Sequence, residues 1–363
     1  MALYIGIMSG TSMDGIDTAL VEFDGQQCKL RGTHFLPYPA DLRNCLLVLQ
    51  HPAESELETT AQISNELSGL YAESVHQLLK QTGLQAKQIA AIGNHGQTIR
   101  HRPELGFTLQ IGNNALLAEL TGITVVGDFR SRDIAAGGQG APLVPAFHQA
   151  AFGNADKNRV IVNIGGIANI TYLAANGDVL GFDSGPGNML LDYWAGLRLG
   201  KPYDKNGAWA ATGVVLDSLL HDMLAEPYFT LPPPKSTGRD LFNEHWLKQH
   251  LLYPHLRSQD VARTLVALTA HSIYHAVGNT CSQVDEIYLC GGGAHNTLLV
   301  QELTTLFGKT PIAKTDGLGV HADWVEAMCF AWLAKQTLEK APANLPAVTG
   351  ARGPRVLGAI YPG

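Results

Sequence analysis

One pattern occurs twice in the chain and limits what it can fold into: an apolar run, a turn of small residues, and a second apolar run. The first copy is Tyr4 to Phe23 (YIGIMSGTSMDGIDTALVEF) and the second is Arg159 to Ala174 (RVIVNIGGIANITYLA). Each reads as a β-hairpin, because short apolar runs bounded by glycine and polar residues suit buried strands. In the first copy, Ile5 to Met8 and Ile16 to Phe23 are the strands and Ser9 to Gly15 is the turn. Glycine there admits positive φ and close backbone approach, and successive N–H groups in such a curl form a nest for anionic oxygens. Gly10 and Gly15 have the four-residue gap of a Walker A loop. However, Ile16 and Asp17 stand where that loop has Lys and Ser/Thr, and a strand follows instead of a helix. The stretch is therefore no P-loop. It is either a hairpin whose turn cradles phosphate, with Asp14 and Asp17 beside it to manage a metal, or an ordinary Gly/Ser turn.

A chain of 363 residues implies two domains or three. Only 16% of residues are charged and 45% are apolar, which can bury a large core. The net charge of −7 points away from nucleic acid and anionic membranes. Cys28, Cys45, Cys281, Cys290 and Cys329 are odd in number and widely spaced, so a disulfide framework and a zinc knuckle are both disfavoured. The sequence shows neither a signal peptide nor an apolar run of membrane-spanning length, and a soluble, cytosolic (cytoplasmic) protein is expected. His271 and His275 have a zinc-ligand spacing, but Ser272 replaces the glutamate of H-E-x-x-H, so two polar helix-face residues are expected.

After the first hairpin, Gln26 to Leu30 is expected as a third strand, and Leu57 to Gln81 as a helix closed by Gly83. Strands follow at Ile89 to Ile92, Thr108 to Ile111 and Ile123 to Val126, with a helix near Asn114 to Leu120. Gly93 to Thr98 and Gly127 to Asp133 follow strands and read as ligand-contacting loops. The Gly-rich stretch Ala135 to Pro145 reads as a crossover and hinge into a second domain. Beyond the second hairpin, Val179 to Phe182 is a strand running into Asp183 to Asn188, where Ser184 or Asn188 would cap a helix carrying Met189, Leu190, Tyr193 and Trp194. In the loop from Leu231 to Asp240, Lys235 and Arg239 would reach a charged ligand. Val261 to Val277 and Val325 to Leu338 are helices, Glu286 to Cys290 is a strand leading into Gly291-Gly292-Gly293-Ala294-His295-Asn296, and Val356 to Ile360 is a last short strand.

Three glycine-rich turns thus follow strands, two of them in like-placed hairpins. This arrangement resembles the superfamily of actin, the sugar kinases and the heat-shock-type chaperone ATPases. Within it the chain is similar to the 1,6-anhydro-N-acetylmuramic acid kinase family. The resemblance rests on MSGTSMDGID (Met8 to Asp17), GNHGQT (Gly93 to Thr98), GDFRSRDIAAGGQGAPLVP (Gly127 to Pro145), NIGGIAN (Asn163 to Asn169), FDSGPGN (Phe182 to Asn188), PPPKSTGRD (Pro232 to Asp240) and GGGAHN (Gly291 to Asn296). It implies an α/β chain of two RNase H-like domains of the actin/hexokinase type, each a mixed sheet flanked by helices, with an inter-domain ATP cleft. The domains would be 1–134 and 135–339, with the tail 340–363 docking on the first.

The implied activity is an ATP- and Mg²⁺-dependent opening of the sugar's 1,6-anhydro bridge by water, with phosphorylation of oxygen 6, in peptidoglycan recycling. The implied nucleotide contacts are Gly10, Thr11, Ser12, Met13, Asp14, Gly15, Ile16 and Asp17, opposite Gly165 and Gly166, with Gly291, Gly292, Gly293 and Asn296 at the adenosine. Asp14 or Asp17 would hold Mg²⁺ through water. Asp183 is the candidate base for the attacking water, with a helix-capping carboxylate as the alternative reading. Arg130, in preference to Arg132, suits the lactyl carboxylate. His95 and Gln97 suit sugar hydroxyls or the acetamido group, and Glu326 either reaches the sugar or merely favours a helix start. A homodimer is implied as well. The rival readings are a kinase of the same fold for another sugar, and a non-enzymatic ATP-switched binding protein.

Overall fold

The structure, a computed structural model, describes residues 1–10, 13–25, 27–50, 55–251 and 255–363. It divides into two compact units, residues 1–151 with 324–363, and residues 152–323. The first unit opens with β1 (Ala2–Met8), β2 (Gly15–Asp24) and β3 (Gln27–Pro37), paired antiparallel in succession. Helices α1 (Ala40–Val48) and α2 (Glu56–Thr82) follow, and Gly83 ends α2 with φ 70°. The chain then returns as β4 (Ile89–Asn94), parallel to β1, since a parallel neighbour needs a helical crossover. Strands β5 (Gln97–Arg102) and β6 (Phe107–Ile111) form a small sheet of their own, and α3 (Asn114–Thr121) leads to β7 (Val125–Gly127), parallel to β4. Helices α4 (Ser131–Ala135) and α5 (Val144–Phe152) complete this stretch.

The second unit repeats the opening. Strands β8 (Arg159–Ile164), β9 (Ile167–Leu173) and β10 (Val179–Pro186) are antiparallel. Helices α6 (Met189–Leu199), α7 (Asp217–Leu224), α8 (Glu244–His250) and α9 (Ser258–Thr280) lead to β11 (Glu286–Cys290), parallel to β8. Helix α10 (Thr297–Phe307) then leads to β12 (Ile312–Lys314), parallel to β11. The chain rejoins the first unit as α11 (Val325–Leu338), α12 (Pro346–Thr349) and β13 (Ala359–Tyr361), which pairs antiparallel with β7. The sheet orders are β13-β7-β4-β1-β2-β3 and β10-β9-β8-β11-β12. In each, the first strand of the hairpin lies between its antiparallel partner and a parallel strand. The two glycine-rich hairpins therefore occupy equivalent places. Among the described residues no helix is long and apolar enough to cross a membrane.

Both faces of the first sheet are covered. On one, α2 packs Leu67, Tyr71, Val75 and Leu78 against Ile5, Ile7 and Ile16. On the other, α11 lies so close that its backbone touches the strands. Gly6 of β1 and Gly93 of β4 are register partners. A Cβ added at Gly6 would stand 1.8 Å from the Ala327 carbonyl oxygen, and one at Gly93 would stand 1.9 Å from that of Phe330. This glycine slot takes the small-residue face of α11, Ala327, Ala331 and Ala334, and explains a helix buried on nearly every side.

The units cut across the boundaries expected at 134/135 and 339/340. The glycine slot draws α11 to the first sheet, so residues from 324 onward belong with it. The 135–145 stretch, expected as a crossover and hinge, is also bound into the first unit. There the buried Asp133 carboxylate accepts from the Gly140 N–H (2.8 Å), the Asn344 amide (2.7 Å) and the Thr349 hydroxyl (2.8 Å), and the Gln139 N–H donates to the Thr349 carbonyl (2.7 Å). The loop expected at Gly93 to Thr98 is mostly strand, with only His95 and Gly96 between β4 and β5. Gln26, expected to start the third strand, lies outside the described residues. Gly93→Ala has to push α11 off the sheet, and denaturant unfolding should show a loss of about 1–3 kcal/mol, the usual penalty of overpacking, or more. An unchanged midpoint would refute the slot.

Candidate functional site

In the first unit the expected site residues gather under the opening turn. Ser9, 1% exposed, donates its hydroxyl to the Gly96 carbonyl (2.9 Å) and bonds the Tyr71 hydroxyl (3.0 Å). The Gln97 amide donates to the Gly10 carbonyl (3.1 Å) and accepts from the Tyr38 hydroxyl (3.2 Å). His95 Nδ1 lies 3.2 Å from the Ser9 carbonyl, and the Arg130 Nη2 and Nε lie 3.0 and 3.3 Å from His95 Nε2. A guanidinium only donates, so Nε2 accepts and Nδ1 carries the proton that goes to Ser9. Burial, and then the Arg130 charge, push His95 down from 6.5 to about 3, so the ring is neutral. Arg130 also donates from Nη1 to the Gly140 carbonyl (2.8 Å), and the Glu326 charge acts on it through space. Arg132 is exposed.

His95 and Gln97, expected at a sugar, thus hold the carbonyls of Ser9 and Gly10. Beyond Gly10 the expected contacts Thr11 and Ser12 lie outside the described residues. Met13 is buried and left-handed at φ 53°, an uncommon conformation for a non-glycine residue and one concentrated at functional turns. Asp14 follows it on the exposed side, and Gly15, Ile16 and the partly exposed Asp17 begin β2, with Asp17 opposite Met8.

In the second unit the hairpin turn is held by main chain. The N–H groups of Gly187 and Met189 donate to the Gly166 carbonyl (2.9 and 3.1 Å), and that of Asn188 donates to the Gly165 carbonyl (2.8 Å). A Cβ at Gly187 would stand 2.4 Å from the Gly165 oxygen, so only glycine permits this approach. By contrast, a Cβ at Gly165 or Gly166 would meet nothing closer than 3.5 Å, so their outer side is open. Neither expected cap forms at α6. Asn188 has helical φ and ψ, and its amide donates to the Ile164 carbonyl (3.1 Å), while the Ser184 hydroxyl donates to that of Ala168 (3.0 Å). Asn188 also lies against the triple glycine: a Cβ at Gly293 would stand 3.1 Å from its Oδ1, and one at Gly292 would stand 3.8 Å from its Nδ2. Gly291 and Gly293 are required by packing on Asn163 and Ile164, which leaves Gly292 as the roomy position of the three. The Asn296 side chain caps α10, its Oδ1 accepting from the Leu299 N–H (3.2 Å).

Asp183 stands within β10 at a register shift against β9, between Asp183 and Gly185. Such a bulge re-aims a side chain. Its Oδ2 accepts from the Thr237 N–H (3.0 Å), so it caps no helix and instead grips the proline-rich loop. Burial raises its carboxyl from 3.8 to about 6, against the lowering effects of that N–H and of the Lys235 charge. Lys235, expected to reach for a ligand, donates to the carbonyls of Tyr228 (3.1 Å) and Phe229 (3.3 Å). Arg239 is exposed. Tyr38, Tyr71 and Tyr228 carry no sequence signal, since each acts on a residue remote along the chain, and Thr237 is marked only as part of the Pro232 to Asp240 stretch.

A sequence model of anhydro-N-acetylmuramic acid kinase matches residues 2–363. The chain belongs to the anhydro-N-acetylmuramic acid kinase family. It is similar to the family's members in Nitrosomonas europaea, at 56% identity over 361 residues and 99% of each chain, and in Pseudomonas putida, at 52% over 363 residues and 100% of each. The member in Nitrosospira multiformis is 53% identical over 363 residues, 99% of each chain. The match spans both clusters, so Asp183 and the two glycine-rich turns sit inside a carbohydrate-kinase sequence. His271 and His275 pack ring against ring at 5.7 Å on α9, and among the described residues no group of three or more His, Cys, Asp or Glu is arranged to hold a metal.

The neutral His95 has a pH consequence. Its folded pKa lies below the unfolded 6.5, so the unfolded chain binds the extra proton between the two values. Its contribution to stability is whole above about pH 6.5 and is lost toward pH 3 at about 1.4 kcal/mol per pH unit. The buried His148, also pushed down to about 3, acts in the same direction. Urea midpoints between pH 7 and 4 should fall less steeply in His95→Gln than in the native chain, and parallel curves would contradict the buried neutral ring.

Proposed function

We propose that the protein uses ATP and water to open the internal bridge of 1,6-anhydro-N-acetylmuramic acid and to place the γ-phosphoryl group on oxygen 6, giving N-acetylmuramic acid 6-phosphate and ADP. Peptidoglycan recycling is the process that uses such a step. Beside the family match, the observation that carries the reading is Asp183: a carboxylate at a strand bulge, raised by burial to about 6, with one oxygen bonded by a main-chain N–H. A base near the working pH combines a large ionised fraction with useful proton affinity.

The chemistry needs one such group. Water attacks the anomeric carbon as Asp183 takes its proton. The bond from that carbon to oxygen 6 breaks, its electron pair stays on oxygen 6, and oxygen 6 takes the phosphoryl group from ATP. Inverting glycosidases need a second carboxyl to protonate the leaving oxygen. Here the phosphoryl group does that work. Arg130, which donates to His95 and the Gly140 carbonyl, carries the planar guanidinium that suits a lactyl carboxylate. Glu326, in the first turn of α11 and coupled to Arg130, suits a sugar hydroxyl.

For the nucleotide, the open sides of Gly165 and Gly166 suit phosphate oxygens, as the sequence of the Gly10 turn does, and Gly292 suits an adenosine approaching close to the backbone. The donor set fits Mg²⁺: the exposed Asp14 and partly exposed Asp17 offer carboxylate oxygen without a closed protein cage, as this ion prefers. When bound, Mg²⁺ supplies positive charge to the transferring phosphates. The repeated strand order supports reading each unit as an RNase H-like domain of the actin/hexokinase type. A cytoplasmic homodimer is the assembly that the family resemblance supports.

Asp183→Asn tests the assignment. ADP release driven by the anhydro sugar should fall about 10²- to 10⁴-fold, while calorimetric ATP binding persists. Undiminished turnover would remove Asp183 from the reaction, and turnover of a plain hexose in preference to the anhydro sugar would overturn the substrate.

A further inference from the structure

One loop grips Asp183 at its main chain and at its carboxylate. The Asp183 N–H donates to the Lys235 carbonyl (3.2 Å), its carbonyl accepts from the Tyr228 hydroxyl (2.8 Å), and its Oδ2 accepts from the Thr237 N–H (3.0 Å). The loop also fixes its own cation. Lys235 Nζ donates to the carbonyls of Tyr228 and Phe229 and stands 4.7 Å from the centroid of the Tyr228 ring and 6.0 Å from that of Phe182, the residue before Asp183. An ammonium held on two carbonyls and an aromatic face is pinned. It acts on the carboxylate through space.

Among the described residues, Lys235 is the one charge that acts on Asp183, and the other groups near it are neutral or acidic. Tyr228 stays neutral, because burial and the charges of Asp183 and Asp240 push its hydroxyl far up. Asp240 is an exposed acid. Asn169 pairs with Asp183 from β9, and at the end of β10 the helix α9 presents Thr269, which donates to the Pro186 and Gly187 carbonyls, and Ser272, beside Gly185. Among the described residues around the carboxylate, Lys235 is the cation.

We propose that the loop from Tyr228 to Thr237 is the positioning element of the Asp183 base: Thr237 occupies Oδ2, Oδ1 is the oxygen that receives the proton from water, and the pinned Lys235 ammonium holds the carboxylate in its ionised form. This rests on the reading of Asp183 as the base. In that step the water O–H breaks, its proton goes to Oδ1, the water oxygen bonds the anomeric carbon, and the bond from that carbon to oxygen 6 breaks as oxygen 6 takes the phosphoryl group from ATP. Lys235 and Thr237 exchange no proton. They are positioning residues, and their effect shows in the acid limb of the kcat/KM profile, where the base loses its charge.

The test measures kcat/KM for the anhydro sugar from pH 5 to 9 at saturating Mg·ATP. Lys235→Gln keeps an N–H donor for the loop carbonyls and removes the charge. Its acid limb should move up by about one pH unit, at the lower end of the shift a nearby opposite charge produces. Activity should then fall about tenfold below the midpoint with little change at pH 9, and Lys235→Arg should restore the native limb. Thr237→Pro removes the N–H on Oδ2 and should move the limb the same way, so the inference stays open to refutation if the glutamine variant fails to fold. A uniform loss across the pH range with an unmoved limb would overturn the proposal and leave the loop as scaffold. If Asp183→Asn retains turnover, the base assignment itself fails. If Asp183→Asn is inactive while the Lys235→Gln and Thr237→Pro limbs stay in place, only the role of the loop falls.

Discussion

The carbonyls of a tight glycine-rich turn must find donors elsewhere in the fold. Both glycine-rich hairpins meet this demand, by different means. In the first unit, side chains reach up from the β4–β5 connection: His95 takes the Ser9 carbonyl and Gln97 that of Gly10. In the second, main-chain N–H groups of residues 187–189 take the carbonyls of Gly165 and Gly166. Either way the carbonyls of Ser9, Gly10, Gly165 and Gly166 find donors within their own unit, as buried backbone groups require. The remaining polar groups follow from this. Tyr71, Tyr38 and Arg130 complete the bonding of the residues that hold the turn.

The two units also settle buried charge in opposite ways. His95 meets a guanidinium, and a second positive charge there would be repelled as well as desolvated. The ring stays neutral and serves as an acceptor for Arg130 and a donor for Ser9. Asp183 is partly buried, but it faces a donor N–H and a cation, which hold its raised carboxyl at about 6. A histidine turned into a structural connector and a carboxylate kept titratable are both products of which partner each was given.

The sequence was most legible where a short local pattern decides structure. The two hairpins, the C-cap at Gly83 and the helix Val325–Leu338 are local signals and appear in the structure. The unit boundaries were not legible, because Gly6 and Gly93 look like ordinary strand glycines until a helix more than two hundred residues later lies against them. Capping was misread at Ser184 and Asn188 because both side chains serve the β8–β9 hairpin, a partner that no local window contains. The places of Lys235 and Tyr228 were hidden for the same reason: a lysine in such a loop looks directed at a charged ligand, and only the fold brings it to Asp183.

The first unit is discontinuous in sequence. Its sheet is completed by β13, its glycine slot is filled by α11, and its buried Asp133 is satisfied by Asn344 and Thr349, all of which follow residues 152–323 in the chain. On a ribosome, the inserted second unit emerges whole before the first unit has its last helix and edge strand. Until then the Gly6–Gly93 face is an uncovered apolar surface and the Asp133 carboxylate lacks two of its donors. Synthesis from the N-terminus therefore does not give folding from the N-terminus here. The segment made first is the one that waits, and its exposed sheet face is where a nascent chain of this kind most needs protection from aggregation.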